Sequence, residues 1–312
     1  MKTWMLEILV CPACLPGEYP LDTAITRQDG NDIMEGKLSC PACGRTYPVG
    51  NGVACILPND QATRTSGSKY ELSPVVASYL WSHYSDLMGD PEATTAYAEW
   101  AALMAPDGGF CLDMGGAVGR FTFEMGRKFD YAVGIDNSEA FVKTAREIMQ
   151  SSGKIFDLPE EGMITKSRQL AIPPEWNMEN VEFIVADAMH PPFAAGTFAA
   201  AASLNMVDKL PRPMLHLQAA NRLVRAGKGQ FLLSDPFSWS TESAPPENWL
   251  GGNPEGPFAG SGLDNITALL GEENGELKPL WQIDARGHVW WKIRTHRNHF
   301  ELIRSCYVKA FR

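Results

Sequence analysis

The sequence has no long hydrophobic run, no excess of basic residues and no leader-like start. None of its apolar stretches reaches the roughly 18–20 residues that a membrane-crossing helix needs. The opening Met1-Lys-Thr-Trp lacks the basic and apolar segments of a secretory signal. Lys and Arg total 27 against 37 Asp and Glu, and a net charge of −10 disfavours general binding to nucleic acid. We therefore expect a cytoplasmic protein without a membrane partner, for which nucleic acid is an unfavoured ligand.

Cysteine is also sparse, but its placement is informative. The chain has seven cysteines, and four of them form two Cys-Pro-Ala-Cys pairs. In a cytoplasmic chain, such pairs favour metal ligation over disulfides. Two pairs complete a tetrahedral four-sulfur zinc site, which leaves no open position for a substrate and is therefore structural. The predicted zinc ligands are Cys11, Cys14, Cys40 and Cys43.

The residues around these pairs carry a resemblance of their own. Leu6-Glu-Ile-Leu-Val-Cys11-Pro and Tyr47-Pro-Val-Gly-Asn-Gly52-Val-Ala-Cys55-Ile-Leu-Pro58 resemble the small zinc-ribbon proteins that bind and activate RNA and protein methyltransferases. The resemblance covers roughly residues 3–58 and implies a protein partner or self-association through the ribbon. We expect a zinc-ribbon domain at 1–60, a polar linker over 59–68, and a second domain at 61–312.

The most informative segment follows an apolar run that predicts a buried strand. It reads Asp113-Met-Gly115-Gly116-Ala-Val-Gly119-Arg120, and a second apolar run ends about 20 residues later at Asp136. An acid at that distance is placed to bind ribose hydroxyls. The spacing differs from the dinucleotide G-x-G-x-x-G pattern and resembles the S-adenosylmethionine (SAM) loop of class I methyltransferases. Asp113 suits a ligand with an amino group and a sulfonium.

Strands and helices alternate through the larger domain. This alternation predicts an α/β fold with a doubly wound, Rossmann-like sheet, whose ligands bind at the carboxyl ends of the strands. An antiparallel hairpin closes the chain. Two helices over 73–87 and 92–104 precede the first strand and are expected to cover the site. The predicted strands span 109–113, 129–136, 181–187, 198–204, 229–235, 288–293 and 304–311, with helices at 138–150 and 213–224.

Two connections, 151–180 and 236–279, exceed a normal loop. Loops of that length are usually functional lids or disordered. Since the second contains tryptophans, Trp239 and Trp249 among them, we expect ordered covers near the mouth of the site.

Polar residues follow the third and fourth strands. In class I methyltransferases an acid at the position of Asp187 accepts from the adenine amino group, and the next backbone N–H, here of Ala188, reaches the ring. Asn205 and Asp208 follow the fourth strand and are candidates to orient the methyl acceptor. Each of these polar residues has a plain alternative role as a turn or helix cap. The predicted cofactor-binding residues are Asp113, Gly115, Gly116, Gly119, Asp136, Asn137, Asp187, Ala188 and Asn205.

Over residues 70–312 a closer resemblance emerges. The motifs Gly116-Ala-Val-Gly119-Arg120, Asn205-Met-Val-Asp208-Lys-Leu210 and Pro246-Glu-Asn-Trp249-Leu-Gly-Gly252 resemble the methyltransferase domain of ovothiol biosynthesis. That family is similar to 4-mercaptohistidine N1-methyltransferases, which methylate an imidazole nitrogen of a thiolated histidine. Two departures stand out: Gly116 lies where the family is expected to carry Cys, and a zinc ribbon replaces the sulfoxide synthase.

The resemblance implies a SAM-dependent N-methyltransferase acting on a small molecule. The predicted catalytic residues are Asn205, Asp208 and Tyr84, and the predicted acceptor-binding residues are Tyr84, Trp239, Glu247, Asn248 and Trp249. The tryptophans have an alternative role as the core of a lid. Two other functions stay open: an RNA methyltransferase that uses the zinc ribbon for recognition, and a non-catalytic SAM-binding scaffold.

Overall fold

The computed structural model describes residues 1–58, 68–271, 275 and 277–312. Apart from Ser68, the predicted linker at 59–68 lies outside the described residues. No helix among the described residues is long and apolar enough to cross a bilayer.

The N-terminal region is a small antiparallel sheet that holds both cysteine pairs. Its strands are β1 (Asp22–Asp29), β2 (Asp32–Ser39), β3 (Thr46–Gly50) and β4 (Val53–Ile56), each paired with the next. In β3 the apolar side chains of Tyr47 and Val49 alternate with exposed neighbours, so one face packs inward. The cysteine pairs lie in the turns before β1 and β3.

The larger region is a parallel sheet with helices on both faces. The strands are β5 (Phe110–Met114), β6 (Tyr131–Asp136), β9 (Val181–Ala186), β10 (Phe198–Leu204) and β11 (Gln230–Asp235). The helices are α1 (Ser73–Tyr84), α2 (Ala96–Ala102), α3 (Arg120–Gly126), α4 (Glu139–Ser151), α5 (Pro213–Leu223) and α6 (Gly262–Gly271). Strands β9, β10 and β11 are buried at every position, as expected for parallel strands covered on both faces.

The sheet runs in the order β4-β9-β6-β5-β10-β11-β13-β12. A long antiparallel hairpin of β12 (Gln282–His296) and β13 (His299–Phe311) closes it, with β13 antiparallel to β11. The Rossmann-like doubly wound sheet, its terminal hairpin and the zinc ribbon predicted from the sequence are confirmed.

The two regions share one continuous sheet of eleven strands. Strand β4 pairs in parallel with β9, with Cys55 opposite Val185 and Ile56 opposite Ala186. Beside this junction, Arg146 of α4 donates to Asp32 of the small sheet at 2.7 Å and also to buried Glu182. The zinc region therefore forms an edge of the main sheet.

Both long connections contain structure that the sequence did not predict. The segment 151–180 folds as a hairpin of β7 (Gly153–Glu161) and β8 (Ile164–Ala171), which forms a separate two-stranded sheet. Pro159 is accommodated because such a sheet consists of edge strands. Most side chains of β8 are exposed, so the hydrophobic alternation that would have revealed the strand is weak. The segment 236–279 contains α6.

Candidate active site

The four predicted zinc ligands converge on one point. Their sulfur atoms all lie within 4.8 Å of one another, and the Cys11–Cys43 and Cys14–Cys40 sulfur pairs are 3.8 Å apart. A tetrahedron with zinc–sulfur bonds of about 2.3 Å has edges of about 3.8 Å, so the cluster fits zinc. The Tyr47 hydroxyl lies 3.0 Å from the Cys11 sulfur and orients it. All four ligands are cysteines, which is consistent with a structural role.

The glycine loop turns sharply at the end of β5. Gly115 has φ +87°, a left-handed conformation that favours glycine, and a Cβ there would lie 1.8 Å from the Met206 sulfur. Gly119 also has a positive φ, and α3 starts directly after it. The loop thus brings backbone to the carboxyl end of the sheet, where Gly115 lines a cavity.

Asp113 and Gly116 lie behind this loop and outside the cavity wall. The Asp113 carboxylate accepts from the Thr122 hydroxyl at 2.7 Å, and burial raises its pKa to about 7. A Cβ on Gly116 would come within 2.9 Å of that carboxylate, so a side chain there requires Asp113 to move. Neither residue lines the cavity and both support the loop from beneath, so their predicted contacts with the cofactor stay a prediction.

Asp136 lies in the cavity wall at the end of β6. Its carboxylate accepts from the backbone N–H groups of Ala117 at 3.1 Å and Ser138 at 2.8 Å, so the acid is fixed between the glycine loop and α4. Burial raises its pKa to about 6. The neighbouring Asn137 also lines the cavity.

Asp187 and Ala188 lie in the wall after β9. The Asp187 carboxylate accepts from the backbone N–H of Met189 at 2.8 Å and pairs with the His190 ring 2.9 Å away. His190 was not foreseen from the sequence. The Ala188 carbonyl accepts from buried His216 at 3.0 Å, which fixes this corner.

Asn205 lies in the wall at the end of β10. Its φ of +55° is uncommon for a residue other than glycine and is one that asparagine tolerates. The side-chain oxygen accepts from the Ser305 hydroxyl of β13 at 2.6 Å, which fixes the orientation of the side-chain amide.

One cavity of about 410 Å³ joins these positions and falls in the size range of small-molecule sites. Leu57 and Pro58, which follow β4 of the zinc region, also line it. A further part of the lining is aromatic and was not predicted. It contains Tyr70, Tyr79, His83, Tyr97, Phe141 and Trp291.

Four of these aromatic residues come from three elements. Tyr79 and His83 lie one turn apart on α1, Tyr97 is on α2 and Trp291 is on β12. The Tyr97 hydroxyl is 2.6 Å from His83 Nε2, and the two rings are 4.1 Å apart. The only signal in the sequence was the i, i+4 spacing of Tyr79 and His83, which places them on one helix face.

Two predicted catalytic residues lie outside the cavity wall. Tyr84 is buried, and its hydroxyl donates to the Val118 carbonyl at 2.7 Å. Asp208 is buried against Asp235, and its carboxylate accepts from the Ser238 N–H at 2.8 Å. Both side chains support loops around the site, because the backbone turns them away from the ligand space.

The four predicted acceptor-binding residues of the second long connection also lie outside the wall. Trp239 and Trp249 stack on each other with ring centres 6.3 Å apart, and Glu247 is exposed. Asn248 donates to the carbonyl of Pro211 at 2.9 Å. Because Pro211 itself lines the cavity, this segment backs the wall from outside.

Two segments of the chain match known protein families. Residues 3–52 match the Trm112p-like protein family, and residues 112–232 match a methyltransferase domain family. A search of curated proteins gave no match.

Several solved structures are similar in outline. They include a SAM-dependent methyltransferase from Methanosarcina mazei, with 15% identity over 68% of this chain and 95% of that chain and a TM-score of 0.43. Magnesium protoporphyrin IX methyltransferase from Synechocystis has 16% identity over 74% and 80%, with a TM-score of 0.41. The complex of the Haloferax volcanii Trm112 methyltransferase activator with a methyltransferase has 11% identity over 76% and 96%, with a TM-score of 0.45. At these scores the likenesses add nothing to the assignment.

The assignment follows from the matched regions together with the cysteine cluster and the sheet. The methyltransferase match begins in β5 and ends in β11. It therefore includes the glycine loop after β5 and the polar residues at the ends of β6, β9 and β10, which are Asp136, Asp187 and Asn205. The Trm112p-like match contains all four clustered cysteines. The chain is a SAM-dependent methyltransferase that carries a Trm112-like N-terminal zinc domain.

Proposed function

We propose that this enzyme transfers the SAM methyl group to an imidazole nitrogen of a small acceptor, 4-mercaptohistidine or a close relative. The observation that carries the proposal is that one cavity is lined both by acids at the ends of the strands and by aromatic side chains. The sequence resemblance to the ovothiol methyltransferase domain supplies the identity of the acceptor.

The acid-lined side suits the cofactor. Asp136 would accept from the ribose hydroxyls, and Asp187 with the backbone N–H of Ala188 would bind the adenine edge. The backbone around Gly115 would approach the methionine portion closely, since no Cβ intervenes. When bound, SAM supplies a methyl group on a sulfonium, which leaves as a neutral thioether.

The aromatic side suits a flat acceptor ring. Tyr79 lies 5.8 Å from His83 and 6.2 Å from Trp291, between ring centres, so these residues enclose one space. Aromatic walls stack against a planar heterocycle and exclude water. His83 is neutral because burial lowers its pKa well below the usual value, and it therefore presents no positive charge to repel an imidazole that becomes cationic.

Asn205 lies between the two sides. Its strand β10 stands in the sheet between β5, β6 and β9, which lead to the cofactor residues, and β12, which carries Trp291. Ser305 occupies one lone pair of the Asn205 side-chain oxygen, and the second lone pair can accept from the N–H of the acceptor ring nitrogen that is not methylated. Such a bond fixes the tautomer so that the other nitrogen keeps its lone pair for attack. Most of the rate enhancement would then come from alignment and exclusion of water.

The RNA methyltransferase alternative has weaker support. The charged residues of the cavity wall are Asp136, Asp187 and Lys209, and Lys209 is already paired with Asp208 at 3.1 Å. A net charge of −10 also opposes a polyanion. The zinc domain, which favours RNA by analogy, uses its strand β4 to extend this chain's own sheet.

The test is a methyl-transfer assay with labelled SAM against 4-mercaptohistidine, histidine and bulk RNA. We expect label in 4-mercaptohistidine, on a ring nitrogen, and none in RNA. Asn205→Ala should lower kcat while SAM affinity stays near that of the wild type. Label in RNA alone would contradict the proposal, and tight SAM binding without turnover on any acceptor would favour the scaffold.

A further inference from the structure

Buried polar atoms in folded proteins almost always have a hydrogen-bond partner, and exceptions call for an explanation. Among the described residues, two such atoms without a partner belong to side chains of the cavity wall, His83 Nδ1 and Trp291 Nε1. Both residues are deeply buried, at 3% and 5% exposure. An unsatisfied buried polar atom costs stability, about 1–3 kcal/mol, and among the described residues neither of these two atoms has a partner.

The hydrogen bond of His83 identifies which ring nitrogen carries the proton. Burial raises the pKa of the Tyr97 phenol well above its usual value, and burial lowers the pKa of the His83 ring well below its usual value. Both groups are therefore neutral. The Tyr97 phenol therefore keeps its proton and donates a hydrogen bond to His83 Nε2 over 2.6 Å. Among the described residues, His83 Nε2 is the acceptor for this hydroxyl. His83 Nδ1 then carries the ring hydrogen and is a donor.

The second group is a donor by its chemistry, because an indole nitrogen can only donate. The nearby Trp100 provides a contrast, since its indole N–H donates to the Ser234 hydroxyl at 3.0 Å. Trp291 lies 6.5 Å from Trp100, between ring centres, and its N–H is left without such a partner among the described residues. Tyr79 contacts both Trp291 and His83, so the two donors flank one compartment.

We propose that His83 Nδ1–H and Trp291 Nε1–H are the specificity-determining donors that bind an anionic group of the methyl acceptor, a thiolate or a carboxylate. The inference rests on the proposed function, since it concerns the acceptor side of that cavity. Two N–H donors without a positive charge select for lone pairs. They belong to α1 and β12 and not to the strand ends that carry Asp136 and Asp187, so we assign them to the acceptor and not to the cofactor.

The test compares Trp291→Phe and His83→Phe with the wild-type enzyme. Trp291→Phe keeps the aromatic ring and removes the N–H. A lost hydrogen bond to a charged group predicts a rise of about 10- to 100-fold in the acceptor KM, while the Kd for SAM stays unchanged. Trp4→Phe is the matched control, because its indole N–H also has no partner among the described residues and lies outside the cavity wall. Thermal denaturation of each variant checks that it folds.

Acceptor analogues separate the two anionic groups. Histidine lacks the thiolate, and a decarboxylated 4-mercaptohistidine lacks the carboxylate. The analogue without the relevant anion should bind the wild type and Trp291→Phe equally well. If the variants instead weaken SAM binding, the donors hold the cofactor's carboxylate and the proposal is overturned. An unchanged acceptor KM in both variants also overturns it.

A binding readout keeps this test separate from the proposed function. With S-adenosylhomocysteine present, the indole N–H resonance of Trp291, assigned by its loss in Trp291→Phe, should shift on titration with 4-mercaptohistidine. If the wild type neither methylates nor binds that compound, the proposed acceptor is wrong, and imidazole-4-carboxylate serves as the probe. We expect a shift at Trp291 and none at Trp4. No shift with either compound would overturn the assignment of the donors.

Discussion

Asp136 and Asp113 are acids on neighbouring strands, and their side chains lie in different surroundings. Asp136 lies in the cavity wall with its carboxylate held by two backbone N–H groups. Asp113 lies beneath the glycine loop and is bonded to Thr122. One acid is therefore placed to meet a ligand, and the other to hold the loop that surrounds the ligand.

For Asp136 we predict a direct effect on the cofactor. Asp136→Ala should weaken SAM binding by about 1.5–3 kcal/mol, the range for hydrogen bonds to a charged group. Burial raises the pKa of Asp136 to about 6, so wild-type affinity should fall as the pH drops through 6 and the carboxylate takes up a proton. Calorimetry from pH 5 to 8 measures both effects. Asp136→Asn should show a flatter profile, and an unchanged Kd in Asp136→Ala would refute the ribose contact.

For Asp113 we predict an effect on stability instead. An unfolded Asp has a pKa near 3.9, whereas burial raises the pKa of Asp113 to about 7 in the folded enzyme. Between these values the folded state keeps a proton that the unfolded state has lost. This contribution is complete below about pH 4 and is lost as the pH rises through 7. Asp113→Asn should therefore reduce the fall in stability across this window by up to about 1.4 kcal/mol per pH unit.

Denaturant unfolding without SAM, from pH 4.5 to 8, measures that slope. The exposed Asp29 of β1 offers a control, since Asp29→Asn should leave the slope as it is in the wild type. A slope in Asp113→Asn equal to that of the wild type would mean that Asp113 is already ionised in the folded protein.

At the scale of elements, the junction of β4 with β9 connects the zinc site to the cofactor site. Strand β4 follows the second cysteine pair through β3 and leads directly to Leu57 and Pro58 in the cavity wall. Its partner β9 leads to Asp187 and Ala188. The positions of Leu57 and Pro58 after one strand and of Asp187 and Ala188 after the other thus depend on the pairing of β4 with β9. The Arg146–Asp32 ion pair at 2.7 Å supports this pairing.

We therefore predict that loss of zinc weakens SAM binding although no cysteine ligand lines the cavity. A small four-stranded unit depends on its metal for folding, so Cys40→Ser should lower the zinc content and the melting temperature. SAM affinity should fall by roughly tenfold or more, about 1.4 kcal/mol, because Leu57 and Pro58 lose their support. Metal analysis, thermal denaturation and calorimetry provide the three readouts.

Cys306→Ser on β13 is the matched control, because it removes a half-buried thiol far from the cluster. It should keep the zinc content and SAM affinity of the wild type. Full SAM affinity in zinc-free Cys40→Ser would show that the two sites are independent.

The elements also show what the sequence could and could not predict. Asp136, Asp187 and Asn205 each follow an apolar strand directly, so their place at the carboxyl edge of the sheet was predictable from local pattern. His83, Tyr97 and Trp291 come from three distant elements and meet only through tertiary packing. Tyr84, which the sequence predicts as catalytic, is the neighbour of His83 on α1, and one residue along a helix turns the side chain by about 100°.

Long-range pairing was hidden for the same reason. Nothing local in Cys55 or Ile56 indicates that they pair with Val185 and Ala186, so the zinc region was expected as a separate unit. The hairpin of β7 and β8 is hard to predict because most of β8 is exposed, and Phe156, Leu158 and Leu170 are the only buried hydrophobic residues of the two strands.

At the scale of the whole molecule, three parts of the fold line one cavity: the end of the zinc region, the carboxyl ends of the parallel strands, and the aromatic residues of the helices and β12. The sheet order places β4 and β9 on one side of β5, and β12 on the other. The cavity extends across the sheet from Pro58, which follows β4, to Trp291 on β12. A molecule built this way should hold both reactants inside the chain's own sheet and helices, which suits a small acceptor.

We expect SAM to lie against Asp136 and Asp187 in this cavity, with the methyl group on its sulfonium pointed at the aromatic residues. A crystal structure with S-adenosylhomocysteine and 4-mercaptohistidine tests it most directly. We predict ribose at Asp136, adenine at Asp187 and Ala188, and the acceptor ring near Asn205, beside Tyr79 and Trp291. A cofactor sulfur that faces away from the aromatic wall, or an acceptor bound elsewhere, would contradict it.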